Sequence, residues 1–171
     1  MIQVIMAAAL LLFAAVLSGA EAGPVDPAKP AAPTGAGFRG FITEVFARVG
    51  TEGMNPEELA TMAVLETASG TGKAFKATNN PGSIHKHGWT GPTYTTTFGE
   101  VLRKYSTIED GARDMVKFLL VNPRYSKAVA ASRGRTGRFF AEVAAAGWAT
   151  SLTYAADLQR EHDTRNGTRT A

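Results

Sequence analysis

One helix that carries a carboxylate on its apolar side constrains this chain most. Asn55 can cap its first turn, and Pro56 suits the first helical position. Leu59 and Met62 recur at helical spacing, and a rotation of about 100° per residue places Glu66 between them. The glycines that follow shortly after Glu66 end the pattern. We therefore predict a helix whose last turn presents a carboxylate beside apolar side chains.

A carboxylate in that position is unfavourable when it is ionised. Apolar neighbours and the negative C-terminal end of the helix both disfavour the charged form, so both raise the pKa of Glu66. The polar side of the helix is predicted to carry Glu57 and Thr61 instead. A carboxyl that stays protonated near neutral pH can act as a general acid. The alternatives are a carboxylate satisfied by a buried arginine or backbone N–H groups, or one exposed by a local bend.

The composition allows one globular domain and excludes several kinds of site. The 171 residues are 44% hydrophobic, which suits one domain of ordinary size. A net charge of +3 is compatible with an anionic polymer but too weak and scattered to indicate nucleic acid. The chain has no cysteine, so a disulfide framework, a thiolate metal site and a cysteine nucleophile are all excluded.

The first 22 residues are predicted to be a signal peptide. The apolar run from Val4 to Leu17 is short for a bilayer span, and residues 20–22 form a small-x-small cleavage pattern. Because no basic residue precedes the run, an uncleaved membrane anchor is the alternative. Residues 23–37 contain four prolines and are predicted to be a linker, so the domain is expected to span residues 38–163.

The domain is predicted to contain about six helices and one hairpin. Apolar residues at helical spacing predict a first helix from Phe38 to Val49. Residues 71–91 are rich in Gly, Asn and Thr and are predicted to be loop, with a turn at residues 79–82. Two β-prone runs, Thr93–Thr97 and Val101–Tyr105, predict the hairpin.

The helices after the hairpin are predicted from their caps. Residues 106–109 read Ser-Thr-Ile-Glu, which predicts a capping box. Thr150 or Ser151 is expected to cap the last helix. The inner face of that helix is predicted to comprise Leu152, Ala155 and Leu158. Residues 164–171 are polar and are predicted to be a disordered tail.

Two histidines and two aromatic residues stand out in the predicted loops. His85 and His87 have a spacing that can chelate a metal, but no carboxylate or third histidine lies nearby in sequence. We therefore expect neither a metal site nor a cofactor. Trp89 and Tyr94 are candidates for packing against a sugar ring, and packing in the core is the alternative for each.

Five blocks between Phe38 and Leu158 follow one another in the order of a known family. The blocks are Ala63–Thr67, Asn79–Ile84, the pair Trp89–Tyr94 and Leu102–Ser106, Asp114–Tyr125, and Gly147–Ala155. Together they resemble the peptidoglycan-hydrolysing N-acetylglucosaminidases of glycoside hydrolase family 73. The resemblance implies a mainly α, lysozyme-like α+β fold, with a helical lobe, a small β-hairpin lobe and a substrate groove between them. It also implies cleavage of the β-1,4 bond after N-acetylglucosamine in cell-wall glycan.

The resemblance also implies roles for individual residues. Glu66 matches the general acid that protonates the glycosidic oxygen. Tyr154 matches a functional tyrosine near that acid, where a phenol suits holding the N-acetyl group of the substrate or the oxocarbenium-like centre. A core tyrosine is the alternative. The substrate-binding residues taken from the matching blocks are Asn80, Trp89, Tyr94 and Trp148.

The resemblance leaves the second carboxylate open. A two-carboxylate glycosidase needs a base or nucleophile across the groove. When the hairpin is aligned with the family from its N-terminal end, Glu100 takes that role. When it is aligned from residues 103–105 toward the N-terminus, Glu100 falls on a non-catalytic acid and the role is vacant. In that case the N-acetyl group of the substrate would activate the water.

These observations predict an exported, monomeric peptidoglycan hydrolase of the endo-N-acetylglucosaminidase type. Its partner is expected to be the glycan strand and not nucleic acid, with membrane contact only if the signal segment is uncleaved. The alternatives are a muramidase or lytic transglycosylase on the same fold, and a catalytically inactive wall-binding or assembly protein.

Overall fold

The computed structural model describes residues 32–165, which form seven α-helices, one 3-10 helix and one two-stranded sheet. The helices are α1 (Ala36–Val49), α2 (Pro56–Glu66), α3 (Lys73–Thr78), α4 (Ile108–Val121), the 3-10 helix (Pro123–Tyr125), α5 (Ser126–Arg133), α6 (Phe139–Ala145) and α7 (Tyr154–Arg165). The strands are β1 (Thr93–Thr95) and β2 (Val101–Arg103). The predicted signal peptide and most of the predicted linker lie outside the described residues. The mainly helical architecture with one small hairpin confirms the predicted fold class.

Helix α1 packs on α2 and α4. Its predicted apolar stripe is fully buried at Phe38, Ile42 and Phe46. The helix begins at Ala36, so the last two residues of the predicted linker are helical. Gly70, with a φ of +76°, lies against Phe38, and a Cβ atom there would be 2.5 Å from the phenyl ring. The segment after α2 therefore packs so closely on α1 that position 70 has no room for a side chain.

Helix α2 begins as predicted but is buried on more than one side. The Oδ1 atom of Asn55 accepts a hydrogen bond from the N–H of Glu57, at 3.1 Å. The prediction that Thr61 lies on a polar, solvent-facing side is wrong, because Thr61 is fully buried. Helix α7 packs over this side of α2 and brings His162 to 3.1 Å from the Thr61 hydroxyl. The hydrophobic pattern of α2 alone could not predict this burial, because the segment that covers Thr61 lies about a hundred residues later.

Helix α3 interrupts the region that was predicted to be loop. It has only six residues, and Phe75 is its one large buried apolar side chain. The Phe75 ring packs edge-on against Phe38 with their centroids 5.3 Å apart. A single apolar anchor in six residues produces no detectable helical period, which explains why the prediction missed this helix.

The hairpin has the predicted position, although each strand is two residues shorter than expected. The antiparallel register pairs Thr93 with Arg103, Tyr94 with Leu102 and Thr95 with Val101. The connection between the strands contains Phe98, which is 91% exposed. The hairpin therefore extends an aromatic side chain into solvent at its tip.

Arg103 connects the hairpin to the helical lobe. Its Nη1 atom lies 2.8 Å from Oδ2 of Asp114 on α4, and the Tyr105 hydroxyl donates to the same oxygen at 2.6 Å. Its Nε atom donates to the backbone oxygen of His85 at 3.1 Å. Since Arg103 and Asp114 are both largely buried, this contact fixes the hairpin and the residue 85 segment relative to α4.

The cap of α4 lies one residue later than predicted. Thr107, and not Ser106, is the N-cap, and its Oγ1 atom accepts from the N–H of Asp110 at 3.1 Å. The Thr107 hydroxyl also donates to the Asp110 carboxylate at 2.6 Å. The side-chain cap of a capping box is therefore present, but the Asp110 carboxylate bonds to the Thr107 hydroxyl, whereas the third helical residue of a capping box bonds to the backbone N–H of the cap.

Helix α7 begins later than predicted and also extends further. It starts at Tyr154, and Leu152 is fully exposed, so the prediction that Leu152 belongs to the inner face is wrong. Leu158 is fully buried as expected. The helix continues to Arg165, so the first two residues of the predicted disordered tail are helical. Between residues 32 and 165, no helix has the length and apolar character needed to cross a membrane.

Candidate active site

A cavity of about 720 Å³ opens between the hairpin and the helical lobe. The hairpin and the segment before it contribute His85, Tyr94, Phe98 and Glu100 to its lining. The helical lobe contributes Glu66, Phe118, Arg124 and Trp148. This volume lies within the range of small-molecule sites, and the lining mixes aromatic surface with a few charged groups.

Glu66 occupies the last position of α2 and is held by side chains from distant parts of the chain. Its Oε1 atom accepts one hydrogen bond from the Tyr154 hydroxyl at 2.7 Å and another from Nε1 of Trp148 at 3.1 Å. Ser83 donates from its hydroxyl to the Glu66 backbone oxygen at 3.2 Å. The predicted alternative, a carboxylate satisfied by a buried arginine, does not match these partners.

The surroundings of Glu66 favour its protonated form. Burial raises the pKa of the Glu66 carboxyl above its usual range. Hydrogen bonds from Tyr154 and Trp148, the nearby Ser83 hydroxyl and the charge of His85 lower the pKa, but burial outweighs them. The direction agrees with the prediction from the helix pattern. Glu66 can therefore carry a proton into the cavity and then receive stabilisation as an anion from the same donors.

Tyr154 lies behind the Glu66 carboxyl and is 5% exposed. Burial, followed by the neighbouring Glu66 charge, raises the pKa of its phenol. The phenol therefore remains a neutral O–H donor at any pH at which the protein functions. This position agrees with the predicted proximity of Tyr154 to Glu66, and it directs the hydroxyl at the Glu66 carboxyl and not into the cavity.

Trp148 both contacts Glu66 and lines the cavity. Its indole packs against the Tyr125 and Phe118 rings, with centroids 5.5 and 5.8 Å away. These rings fix the indole plane, so its N–H has a defined direction toward Glu66. One face of this aromatic cluster remains available to the cavity.

Glu100 lies at the start of the return strand of the hairpin and faces the same cavity. Its side chain is 52% exposed, and its Oε1 atom is 4.0 Å from Nε2 of His85. The two cavity carboxylates therefore have different environments, since Glu66 is largely enclosed and Glu100 is solvated. Such a contrast suits one acid and one base.

Asn80 was predicted to bind substrate, but the structure places it elsewhere. It is 1% exposed, and its Nδ2 atom donates to the backbone oxygens of Ile84 and Arg103 at 2.9 and 3.0 Å. Its Oδ1 atom accepts from the Ile84 N–H at 3.0 Å. Because these bonds use the amide fully, Asn80 holds the turn against the hairpin and does not line the cavity.

Of the two predicted loop aromatics, only Tyr94 lines the cavity. Trp89 donates from Nε1 to the Pro92 backbone oxygen at 2.9 Å, and its ring packs on Tyr105 with centroids 5.5 Å apart. The Arg103 guanidinium lies 5.4 Å from the Trp89 ring centroid. Trp89 therefore lies outside the cavity, where its ring supports the Arg103 contact, as in the core-packing alternative.

Sequence reasoning did not single out Arg124 or Phe98 as cavity residues. Phe98 had a usable signal, since a large aromatic in a hairpin turn is normally exposed. Arg124 lay within a matching block but carried no signal of its own. His85 was considered only as a metal ligand, and within residues 32–165 no group of three or more His, Cys, Asp or Glu side chains could hold a metal ion.

The chain is similar to known hydrolases in sequence and in fold. It is 34% identical over 118 residues to the peptidoglycan hydrolase FlgJ of Vibrio parahaemolyticus, a match covering 60% of this chain and 38% of that protein. The chain thus spans less than half of that relative. The fold matches a peptidoglycan hydrolase from Sphingomonas sp. A1 with a TM-score of 0.61 and 21% identity, covering 78% of this chain and 96% of the other. It matches the glycoside hydrolase domain of Salmonella typhimurium FlgJ with a TM-score of 0.58 and 24% identity, covering 77% and 87%.

A protein-family comparison covers most of the described domain. The glucosaminidase family, described as mannosyl-glycoprotein endo-beta-N-acetylglucosaminidase, matches residues 46–166. The match includes every cavity residue named above, from Glu66 on α2 to Trp148 before α7. The chain therefore belongs to the glucosaminidase family of glycoside hydrolases.

Proposed function

We propose that this protein hydrolyses the β-1,4 bond after N-acetylglucosamine in bacterial peptidoglycan, with Glu66 as the general acid. The observation that carries the proposal is the Glu66 carboxyl itself, which lines the cavity, has a raised pKa and is oriented by Tyr154 and Trp148. The names of the similar proteins support peptidoglycan as the substrate.

In this mechanism Glu66 transfers its proton to the glycosidic oxygen as the bond from that oxygen to the sugar C1 breaks. The resulting carboxylate keeps its hydrogen bonds from Tyr154 and Trp148, which stabilise the charge that has just formed. Tyr154 acts through Glu66, as a positioning residue. Tyr94 and the exposed face of Trp148 are proposed to contact sugar rings.

Glu100 is proposed as the base that takes a proton from the attacking water. Its support is its place on the cavity wall and its solvated carboxylate. If Glu100 is the base, Glu100→Gln should lower kcat about a hundredfold or more. Retention of full activity would instead favour water activation by the N-acetyl group of the substrate.

Peptidoglycan lies outside the cytoplasm, so the proposed substrate supports an exported protein. We propose that residues 1–22 direct export and that the protein acts as a monomer on the wall. Both proposals are open to direct measurement. N-terminal sequencing of the exported protein should find a start at Gly23, and light scattering should give the mass of one chain.

The bond that is cut can be identified by mass spectrometry of digested peptidoglycan. Products with reducing-end N-acetylglucosamine are expected. Reducing-end N-acetylmuramic acid would identify a muramidase, and anhydro-muramic acid would identify a lytic transglycosylase. Intact glycan together with retained wall binding would instead identify an inactive binding protein.

A further inference from the structure

Arg124 differs from the other arginines of the described chain in how its guanidinium is satisfied. Within residues 32–164, the other arginines each donate to a carboxylate or a backbone oxygen. These are Arg39, Arg48, Arg103, Arg113, Arg133, Arg135, Arg138 and Arg160. In that part of the chain, the Arg124 guanidinium has no hydrogen-bond or ion-pair partner, and it lines the cavity.

The Arg124 guanidinium lies beside two groups of the cavity wall. It lies over the Tyr125 ring, with Cζ 5.7 Å from the centroid. It also approaches Gly147, where an added Cβ atom would be 3.0 Å from Nη2. The side chain is exposed, and its N–H groups have no partner within residues 32–164. A guanidinium with unused donors at a cavity wall is suited to binding a carboxylate through two N–H groups.

Neither cavity carboxylate pairs with Arg124 within residues 32–164. Glu66 accepts from Tyr154 and Trp148, and Glu100 lies beside His85. A ligand is therefore the source of an anion for Arg124. The sugar rings and N-acetyl groups of peptidoglycan are uncharged. Its carboxylates belong to the peptide stem, or to the lactyl group of N-acetylmuramic acid where no stem is attached.

We propose that Arg124 binds a carboxylate of the lactyl–peptide substituent and so makes the cavity select muramic-acid-containing strands over plain N-acetylglucosamine oligomers. The proposal rests on peptidoglycan being the substrate. It assigns Arg124 to substrate binding, at a distance from the proton transfer by Glu66. A single charge-assisted contact of this kind is expected to change affinity about ten- to a hundredfold.

The test measures binding by calorimetry in the full-length Glu66→Gln protein, with and without Arg124→Gln. Three oligosaccharides of equal length are compared. The first carries peptide stems, the second has its stems removed to leave free lactyl carboxylates, and the third contains only N-acetylglucosamine. Arg124→Gln should weaken binding of the first about ten- to a hundredfold and leave the third unchanged. A loss confined to the first would assign a carboxylate of the peptide stem. An equal loss for the second would show that the guanidinium also accepts the lactyl carboxylate, which is free only when the stem has been removed.

Arg138→Gln is the matched control, because Arg138 is exposed and pairs with Glu142 outside the cavity. It should change none of the three affinities. Arg124→Lys should restore part of the lost affinity, since it keeps the charge but loses the planar pair of donors. The proposal is overturned if Arg124→Gln weakens binding of the third oligosaccharide as much as binding of the first. It is also overturned if the protein with Arg124 intact binds the first and the third equally.

These outcomes are distinct from failure of the proposed reaction. Binding requires no bond cleavage, so the preference for the first oligosaccharide and its loss in Arg124→Gln can be read even if product analysis contradicts the glycosidase assignment. A normal digest together with unchanged affinities in Arg124→Gln would contradict the role of Arg124 alone.

Discussion

At the scale of single residues, the site depends on a carboxyl whose burial and hydrogen bonds act on its pKa in opposite directions. Burial raises the pKa of Glu66, and Tyr154 and Trp148 lower it. Glu66 is therefore a proton donor whose carboxylate form already has two hydrogen-bond donors in place. Because the donors are neutral, they stabilise the anion without the long-range field of a cation.

Removing the Tyr154 hydroxyl should raise the pKa of Glu66 further. Tyr154→Phe keeps the burial but removes a hydrogen bond that favours the carboxylate. The alkaline limb of the pH–rate profile should therefore move to higher pH, with a lower kcat. The measurement is kcat against pH on solubilised glycan. Tyr125→Phe, whose ring touches Trp148, is the control and should leave that limb in place.

The raised pKa of Glu66 also affects the stability of the fold. The folded state holds the Glu66 proton to a higher pH than the unfolded state does. The stability contributed by this group is therefore complete below the unfolded pKa of about 4.3 and is lost as pH rises through the folded pKa. Glu66→Gln should remove this loss, so the variant should gain in relative stability between pH 4 and pH 8. Urea unfolding at both pH values checks this, and a constant difference would contradict it.

At the scale of secondary-structure elements, two close contacts set how the helices and the hairpin meet. One is the approach of the chain after α2 to α1, where Gly70 lies on Phe38. The other is the connection of the hairpin to α4 through Arg103 and Asp114. Both position the cavity, since α2 carries Glu66 and the hairpin carries Glu100.

Gly70→Ala should destabilise the protein through two effects. The φ of +76° is unfavourable for alanine, and the new Cβ would lie 2.5 Å from the Phe38 ring. Together these effects should cost about 2–4 kcal/mol in urea unfolding. Gly99→Ala isolates the backbone effect, because Gly99 has a φ of +84° with open space around it. It should cost only about 1 kcal/mol, and equal costs at both sites would contradict the close-packing account.

Breaking the Arg103–Asp114 pair should loosen the hairpin. Arg103→Gln leaves a largely buried carboxylate with only the Tyr105 hydroxyl as a partner, at a cost of about 2–4 kcal/mol. Arg113→Gln is the matched control, since Arg113 forms an exposed pair with Asp110 and should cost less than about 1 kcal/mol. Hydrogen exchange of the β1 and β2 amides should accelerate only in Arg103→Gln. Unchanged exchange would contradict the role of this pair.

The elements that local signals define could be predicted, and those that depend on distant packing could not. Asn55 and Pro56 mark the start of α2 within the sequence itself. Helix α3 has a single buried anchor, and the burial of Thr61 depends on α7, about a hundred residues later. The exposure of Leu152 likewise depends on where α7 docks, which its apolar character does not reveal.

At the scale of the whole molecule, the site is assembled across the lobes and along the chain. Glu66 meets Trp148 and Tyr154, which are 82 and 88 positions away in sequence. The helix pattern predicted that Glu66 would be unusual. The proximity of Tyr154 followed only from the resemblance, and the contact with Trp148 was not predicted, because spacing says nothing about contacts over such distances. Asn80 and Trp89 lie in matching blocks but outside the cavity, since membership of a block does not distinguish a cavity wall from its support.

The most direct test compares two glutamates of α2 in one assay. Glu66→Gln and Glu58→Gln make the same substitution on the same helix, but Glu58 is buried against Ser132 away from the cavity. The measurement is kcat for release of reducing ends from purified peptidoglycan, per folded molecule. Glu66→Gln should lower kcat at least a hundredfold while the protein remains folded and bound to the wall, and Glu58→Gln should retain its activity. Full activity in Glu66→Gln, or an equal loss in both variants, would contradict Glu66 as the general acid.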